Sequence, residues 1–374
     1  MSPGPSAPKR VHLTRPILPA LNELLPLLTE IWGSGILSNG GPMERRFESS
    51  LEREMGWPNV SMVASCTIGL QLLLRACGLE GEVLVPALSH PATYQAVQWN
   101  GLTPVPVDVA PDTLTIDTGL LTSHIGSRAS AILAVHLFGH PADVIELEHI
   151  ASKHKLALVF DAAACIGVRF NGTPLPRFGH ASSVSFHATK LLGIGEGGAI
   201  TAADSALRDR VRVLRNFGLS GTERPLVGGT NGKLSELASA VGVALLPYLS
   251  EEIRQREVAL QRYREELAGV AGIQLLSARP GTTENFSYAM LRVRTESGDP
   301  AAHHAHRLLD MRGIDSRRYF GGTYRMVLDS PAETPVADSA AADLLCVPLW
   351  GGMPESLISQ ICEILRQSTL SHSR

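Results

Sequence analysis

The segment SVSFHATKLLGIGEGGAI, residues 183–200, sets one lysine, Lys190, between an alternating run and a stretch with four glycines. Only four other lysines occur (Lys9, Lys153, Lys155 and Lys233), and arginine serves elsewhere. Lysine can lose its proton and become a nucleophilic amine, whereas guanidinium keeps its charge. A lysine that merely solvates a strand end is the plainer account of this residue alone. Other reactive types converge on it. Asp161 closes the apolar run LALVF, and Ser185 and His187 precede Lys190 in the same strand and turn. Thr67, ahead of a leucine-rich run, reads as a helix N-cap, and a helix start presents unpaired N–H groups that suit a phosphate.

An amine, a carboxylate and hydroxyl-capped N–H groups are what pyridoxal 5′-phosphate needs. The amine joins its aldehyde, the carboxylate keeps its pyridine nitrogen protonated, and the helix start takes its phosphate. An ion pair between Lys190 and Asp161 with no chemistry attached is the open alternative. The glycines of GIGEGGAI precede a strand rather than opening a helix, so they do not form a dinucleotide-binding loop, and no GxxxxGK[ST] occurs. Tight strand packing accounts for them better.

These groups must be carried by elements. MERRFESSLEREMG places Met43, Phe47, Leu51 and Met55 on one helical stripe. VSMVAS reads as a strand and CTIGLQLLLRACG as a helix closed by Gly78. EVLVPAL, TPVPVDV, ASAILAVHLF and ALVFDAAA are further strands, with helical pieces such as PADVIELEHIASKH between them. Strands alternating with helices predict an α/β fold with a mostly parallel sheet flanked by helices, whose ligands sit beyond the strands' carboxyl ends. SELASAVGVALLPYLSEEIRQREVALQRYREELAGV reads as a long helical connector. It leads to a smaller α+β part with strands IQLL and FSYAMLRV and helices AAHHAHRLLDMRG and ESLISQICEILRQ. The expected division is a flexible arm over 1–12, a large domain over 13–250 and a small C-terminal domain over 251–374.

The totals narrow the classes. With 374 residues, 44% hydrophobic, mean hydropathy +0.08 and net charge -3, the chain reads as an ordinary globular protein with no electrostatic pull toward nucleic acid or an anionic membrane. No apolar run approaches the ~18 residues of a membrane span. MSPGPSAPKRVHLTRP lacks a signal-like apolar core, and five cysteines without CxxC spacing argue against disulfides or a metal site. HHAH at 303–306 reads as a solvated helix face rather than a metal site. A cytoplasmic protein is expected.

Seven segments in one order resemble the DegT/StrS-type family of nucleotide-sugar aminotransferases, which has the fold-type-I architecture of aspartate aminotransferase. They are WGSGILSNGGPMERRFE, SCTIGLQLLLRACGLEGEVLVPALSHPATYQAV, TPVPVDVAPDTLTID, AVHLFGHPADV, VFDAAACIGV, SFHATKLLGIGEGGAI, and RNFG with GTNGKLSELASAVG. The resemblance implies that Lys190 is the Schiff-base and proton-moving lysine and that Asp161 pairs with the pyridine nitrogen. Thr67, the N–H of Ile68, and Ser185 would hold the phosphate of pyridoxal 5′-phosphate. Asn231 would reach the phosphate of a partner subunit in a homodimer with shared active sites. His90 falls where relatives stack an aromatic on the cofactor. Arg317, Arg318 and Tyr319, on the strand leading to the site, together with His187, would face substrate. One departure stands out: Ala164 occupies a position where relatives commonly carry glutamine or histidine. The intact lysine speaks against the related dehydratases. The implied reaction moves an amino group from L-glutamate to a dTDP-4-keto-6-deoxyhexose. A 3-keto sugar, a ketocyclitol, or a non-catalytic cofactor-binding homologue are the alternatives.

Overall fold

A computed structural model describes residues 10–221, 224–225, 227–320, 325, 328 and 332–370. The apolar runs read as strands assemble into a seven-stranded sheet: β1 (Ser61–Val63), β2 (Glu82–Pro86), β3 (Thr103–Val107), β4 (Ala129–Val135), β5 (Ala157–Asp161), β8 (Ala181–Ser185) and β9 (Gly198–Ala202). Its order is β1-β9-β8-β5-β4-β2-β3. The pairs β3–β2, β2–β4, β4–β5 and β5–β8 are parallel, and β9 alone runs against its neighbours. Burial on both faces explains why β4 and β5 carry nearly unbroken apolar sequence instead of alternation. One core face holds Phe47, Leu51, Ile132, Phe160 and Val184. The other holds Leu70, Leu73, Val85, Leu133 and Val159.

Helix α2 (Pro42–Met55) buries Met43, Phe47 and Leu51 as its stripe requires, while Met55 is only half-buried at its last position. Helix α1 (Leu21–Ser34), which the sequence reading did not assign, contains Pro26 and leaves much of its apolar surface exposed. The long helical connector is two helices, α8 (Glu236–Leu245) and α9 (Leu249–Leu267), joined through a short 3₁₀ turn at Leu246–Tyr248 that contains Pro247.

A three-stranded antiparallel sheet, β10 (Ile273–Leu275), β12 (Ala289–Val293) and β13 (Leu344–Val347), has the order β10-β12-β13 and its own core with Tyr263, Leu291, Leu309 and Ile361. The segment between β10 and β12 crosses back: β11 (Thr282–Thr283) pairs with β6 (Arg169–Phe170) beside the large sheet. Of the expected N-terminal arm, residues 1–9 lie outside the described residues. Its end is tied down: the Val11 amide donates to the Gly313 carbonyl, Asp315 N–H donates to Val11, and Arg10 pairs with Asp310 and Asp315.

Two close approaches set the site. A Cβ on Gly69 would stand 2.3 Å from Ser183 Oγ, and one on Gly198 would stand 2.7 Å from the Cys66 nitrogen and 2.9 Å from the Val184 oxygen. Only glycine lets helix α3 (Cys66–Ala76) settle on β8 and β9 this closely. Ser183 Oγ then donates to the Cys66 carbonyl at 3.0 Å, locking the helix start to the strand that leads to Lys190.

Candidate active site

The carboxyl ends of β5 and β8 deliver Asp161 and, one tight turn later, Lys190 to one cleft of about 320 Å³. The turn is held by its backbone: Lys190 N–H donates to the His187 carbonyl at 2.8 Å and Ala188 N–H to that of Gly195 at 2.7 Å. The Lys190 Nζ donates to the hydroxyl of Tyr288 at 2.8 Å. Asp161 is buried, accepting from Thr93 Oγ1 at 2.8 Å on one oxygen and from Ala163 N–H at 3.1 Å on the other. The two are not joined by an ion pair: each has the partners just given.

The phosphate-like end differs from expectation. Ser65, not Thr67, caps α3, its Oγ accepting the N–H of Ile68 at 3.2 Å. The helix therefore starts one residue before Thr67, and the Ile68 amide already has an acceptor. Thr67 sits in the first turn, where its hydroxyl and amide take no part in capping, and it lines the cleft with Ser185. Sequence could not separate Ser65 from Thr67 because both are good caps; the lock of Cys66 onto Ser183 decides the register.

Arg317 and Tyr319 line the cleft, with the guanidinium 5.7 Å from the Tyr319 ring centre. Their segment is not a strand: a single bridge, Arg317 to Cys346, joins it to β13. Arg318 does not line the cleft; it is exposed and meets His303 at 3.5 Å. His187 lies at the mouth, its Nδ1 2.8 Å from Thr189 Oγ1 and its Nε2 3.7 Å from Glu196. His90 lines the cleft at the N-terminus of helix α4 (Pro91–Trp99), and its Nδ1 accepts the Ala92 amide at 3.2 Å. Asn231 is exposed and lies outside this cleft, in a backbone bridge with Asn216. Ala164 is buried at the cleft wall, and its carbonyl accepts from Asn285 Nδ2 at 2.8 Å.

Sequence reasoning missed the wall itself. Phe138 adopts a left-handed φ of 59° in the turn Leu137–Gly139, a costly conformation for a non-glycine residue. Its ring centre lies 5.6 Å from Tyr288, 5.6 Å from Tyr319 and 5.9 Å from Phe320. The motif AVHLFG signalled that segment but not the aromatics, which come from positions some 150 to 180 residues onward.

Electrostatics favour charge separation. Burial opposes the Lys190 ammonium, but the hydrogen bond to Tyr288 and the charge of Asp161 outweigh it, so its pKa lies above the ordinary lysine value. His90 is pushed down by burial and by Lys190 and Arg317, against the pull of Asp161, which favours neutral imidazole. Burial raises the Tyr319 phenol, keeping it a hydrogen donor.

The sequence of the DegT/DnrJ/EryC1/StrS aminotransferase family matches residues 21–366. The chain is 32% identical to the Escherichia coli dTDP-4-amino-4,6-dideoxy-D-glucose transaminase, covering 96% of this chain and 98% of that one. It is also 32% identical to the Streptomyces venezuelae dTDP-3-amino-3,4,6-trideoxy-alpha-D-glucose transaminase, covering 94% of each. The crystal structure of DesI in the presence of its TDP-sugar product superposes with a TM-score of 0.92 at 33% identity, over 98% of this chain and 95% of that one. Among the described residues no helix is long and apolar enough to cross a membrane. The chain belongs to the DegT/DnrJ/EryC1/StrS aminotransferase family.

Proposed function

We propose that the chain is a pyridoxal 5′-phosphate-dependent transaminase that moves the amino group of L-glutamate to C4 of a dTDP-4-keto-6-deoxyhexose. The observation that carries this reading is Lys190 and Asp161 facing one cleft without neutralising each other. When bound, the cofactor supplies an aldehyde for an amine and a protonated ring that withdraws electrons. The donor set fits it. Asp161 has accepting capacity beyond Thr93 and Ala163, because a carboxylate offers about four lone-pair sites. Thr67 in the first turn of α3, where an anion is favoured, and Ser185 at the end of β8 both offer hydroxyls.

Each residue then has a task. Lys190 would hold the cofactor's aldehyde carbon and, once released as a neutral amine, would carry a proton between that carbon and the amino-bearing carbon of whichever substrate is bound. Asp161, fixed by Thr93 and Ala163, keeps a ring nitrogen protonated. His90 covers one face of the ring as neutral imidazole. Arg317 pairs with the glutamate carboxylate or the sugar diphosphate. One cleft serves both substrates, so 2-oxoglutarate leaves before the keto-sugar enters.

The reading includes a homodimer in a reducing, cytoplasmic setting, with a large domain over 13–250 and a small one over 251–374. Supporting the dimer, Leu21, Leu25 and Trp32 of α1 are 81%, 62% and 69% exposed, three large apolar side chains on one helix. Asn231 stands exposed where a second copy could use it. All five cysteines are free, as a reducing compartment requires.

Amination at C3 is the second reading, because the C3 relative from Streptomyces venezuelae is as similar as the C4 relative from Escherichia coli. The test is product analysis with glutamate and a panel of 3-keto and 4-keto sugar nucleotides. Mass spectrometry and NMR should show the amine at C4 of a dTDP-sugar. An amine at C3 favours the second reading, and no amine on any sugar, with no 2-oxoglutarate released, refutes both.

A further inference from the structure

Tyr288 and Lys190 come from different sheets, one preceding β12 and the other following β8, yet their polar atoms meet at 2.8 Å. The tyrosine ring is placed by contacts other than this bond. It packs against Phe138 at 5.6 Å and stands edge-to-face with Tyr319 at 6.2 Å and 88°. Its chain is also pinned. Ser287 N–H donates to Asn285 Oδ1 at 3.1 Å, and Asn285 Nδ2 donates to the carbonyls of Ala164 and Ile166 at 2.8 and 2.7 Å. The residue that touches the lysine is thus tethered to the loop that follows Asp161.

Resting on the cofactor reading above, we propose that Tyr288 is the positioning residue of Lys190: its hydroxyl holds Nζ in both protonation states whenever the amine is uncombined and keeps it over the cleft. A hydroxyl suits this task because it both accepts and donates. When Nζ is an ammonium, it donates to the phenol oxygen; when Nζ is neutral, the phenol O–H turns and donates to the nitrogen lone pair. A carboxylate in the same place would strongly favour the charged form and could not donate to the neutral amine's lone pair, and phenylalanine would hold neither form. The other titratable groups facing Nζ are Asp161, Cys66, Cys165, Cys346 and His90. Burial keeps the three thiols protonated, leaving Asp161 as the fixed anion among them, and Arg317, Tyr319, His187 and Glu196 line the same cleft.

The test compares the full chain with Tyr288→Phe, which keeps the ring packing. Each protein, freed of cofactor, is mixed with pyridoxal 5′-phosphate between pH 7 and 12 and stopped with borohydride at timed intervals. Nζ bonds to the aldehyde carbon, the carbonyl oxygen leaves as water, and hydride from borohydride fixes the C–N bond. Label on the peptide containing Lys190 is then counted by mass spectrometry. Removing the acceptor leaves burial to oppose the ammonium, so the pH midpoint of labelling should fall by ~1 unit in Tyr288→Phe, as for one lost hydrogen bond to a charged group. Transamination kcat should fall ~10-fold with little change in KM, because proton transfer loses its aim. Superimposable labelling curves for the two proteins overturn the Tyr288 proposal and leave the cofactor reading standing. Label absent from the Lys190 peptide in both overturns the cofactor reading, and this proposal with it.

Discussion

Two buried charged regions lie on the large sheet and resolve their charges in opposite ways. Behind it, Arg215 meets Glu44 at 2.6 Å and Glu48 at 3.7 Å, and Arg212 takes the other oxygen of Glu48 at 2.6 Å. Glu236 accepts the N–H groups of Met43 and Glu44 at 2.8 and 2.9 Å, at the positive end of α2. Each charge there has a counter-charge or a helix N-terminus within reach. In the cleft, Lys190 is met by a neutral phenol, and Asp161 by a hydroxyl and an amide. Buried charges are costly unless paired, so a site that leaves a cation and an anion near each other but unjoined is built to be completed by something else. The ordinary network belongs to the fold; the incomplete one is, on the function proposed above, the one that serves the reaction.

Three substitutions should separate the two. The largest effect belongs to the cleft: Lys190→Ala should lower sugar amination by ~10³-fold or more, since it removes the proton carrier. Its melting temperature should stay near wild type, and retention of amination at wild-type rate would remove the cleft from the mechanism. Next comes the network. Arg215→Ala leaves Glu44 and Glu48 without their shared cation and should cost about 3–5 kcal/mol of stability, the usual loss on breaking a buried pair. Thermal or denaturant unfolding reads this, and turnover per folded molecule should change far less than in Lys190→Ala. A stability loss under ~1 kcal/mol would mean the network is decorative.

The third and smallest effect sharpens the contrast with a polar group that carries no charge at all. His136 is buried against Phe160, rings 4.4 Å apart, and its Nδ1 accepts the Ala142 amide at 3.1 Å. Burial depresses its pKa from 6.5 to about 3. Folding therefore favours the neutral ring, a contribution complete above pH 6.5 and lost as pH falls toward 3 at up to about 1.4 kcal/mol per unit. Between pH 7 and 5 the wild-type melting temperature should drop by more than that of His136→Gln. Equal slopes would refute the assignment.

Much of the site was legible because β strands end in order. Apolar runs located β5 and β8, and the residue types at their ends named Asp161 and Lys190. The sheet's direction and the alternation of elements followed from the same runs. What stayed hidden depends on chain segments far apart in sequence. Tyr288 is 98 residues from Lys190, and no local pattern says which of many aromatics will return to a given lysine. Arg317 and Arg318 are neighbours of identical type, and only the Arg317–Cys346 bridge sends one toward the cleft and the other outward. Helix α1 escaped because Pro26 broke its pattern, and the cap of α3 moved to Ser65 because tertiary packing chose between two suitable hydroxyls.

The missing Cβ atoms at Gly69 and Gly198 have a consequence for how such a catalyst diversifies. They mount helix α3 and the lysine-bearing turn on one hairpin by close main-chain approach, so the spacing between the two is set by a rigid jig rather than by side chains. Residues such as Arg317, Tyr319 and Phe320 hang from a different sheet and can be exchanged without disturbing that jig. A lineage could therefore swap one sugar for another at the far wall while the reactive end keeps its dimensions.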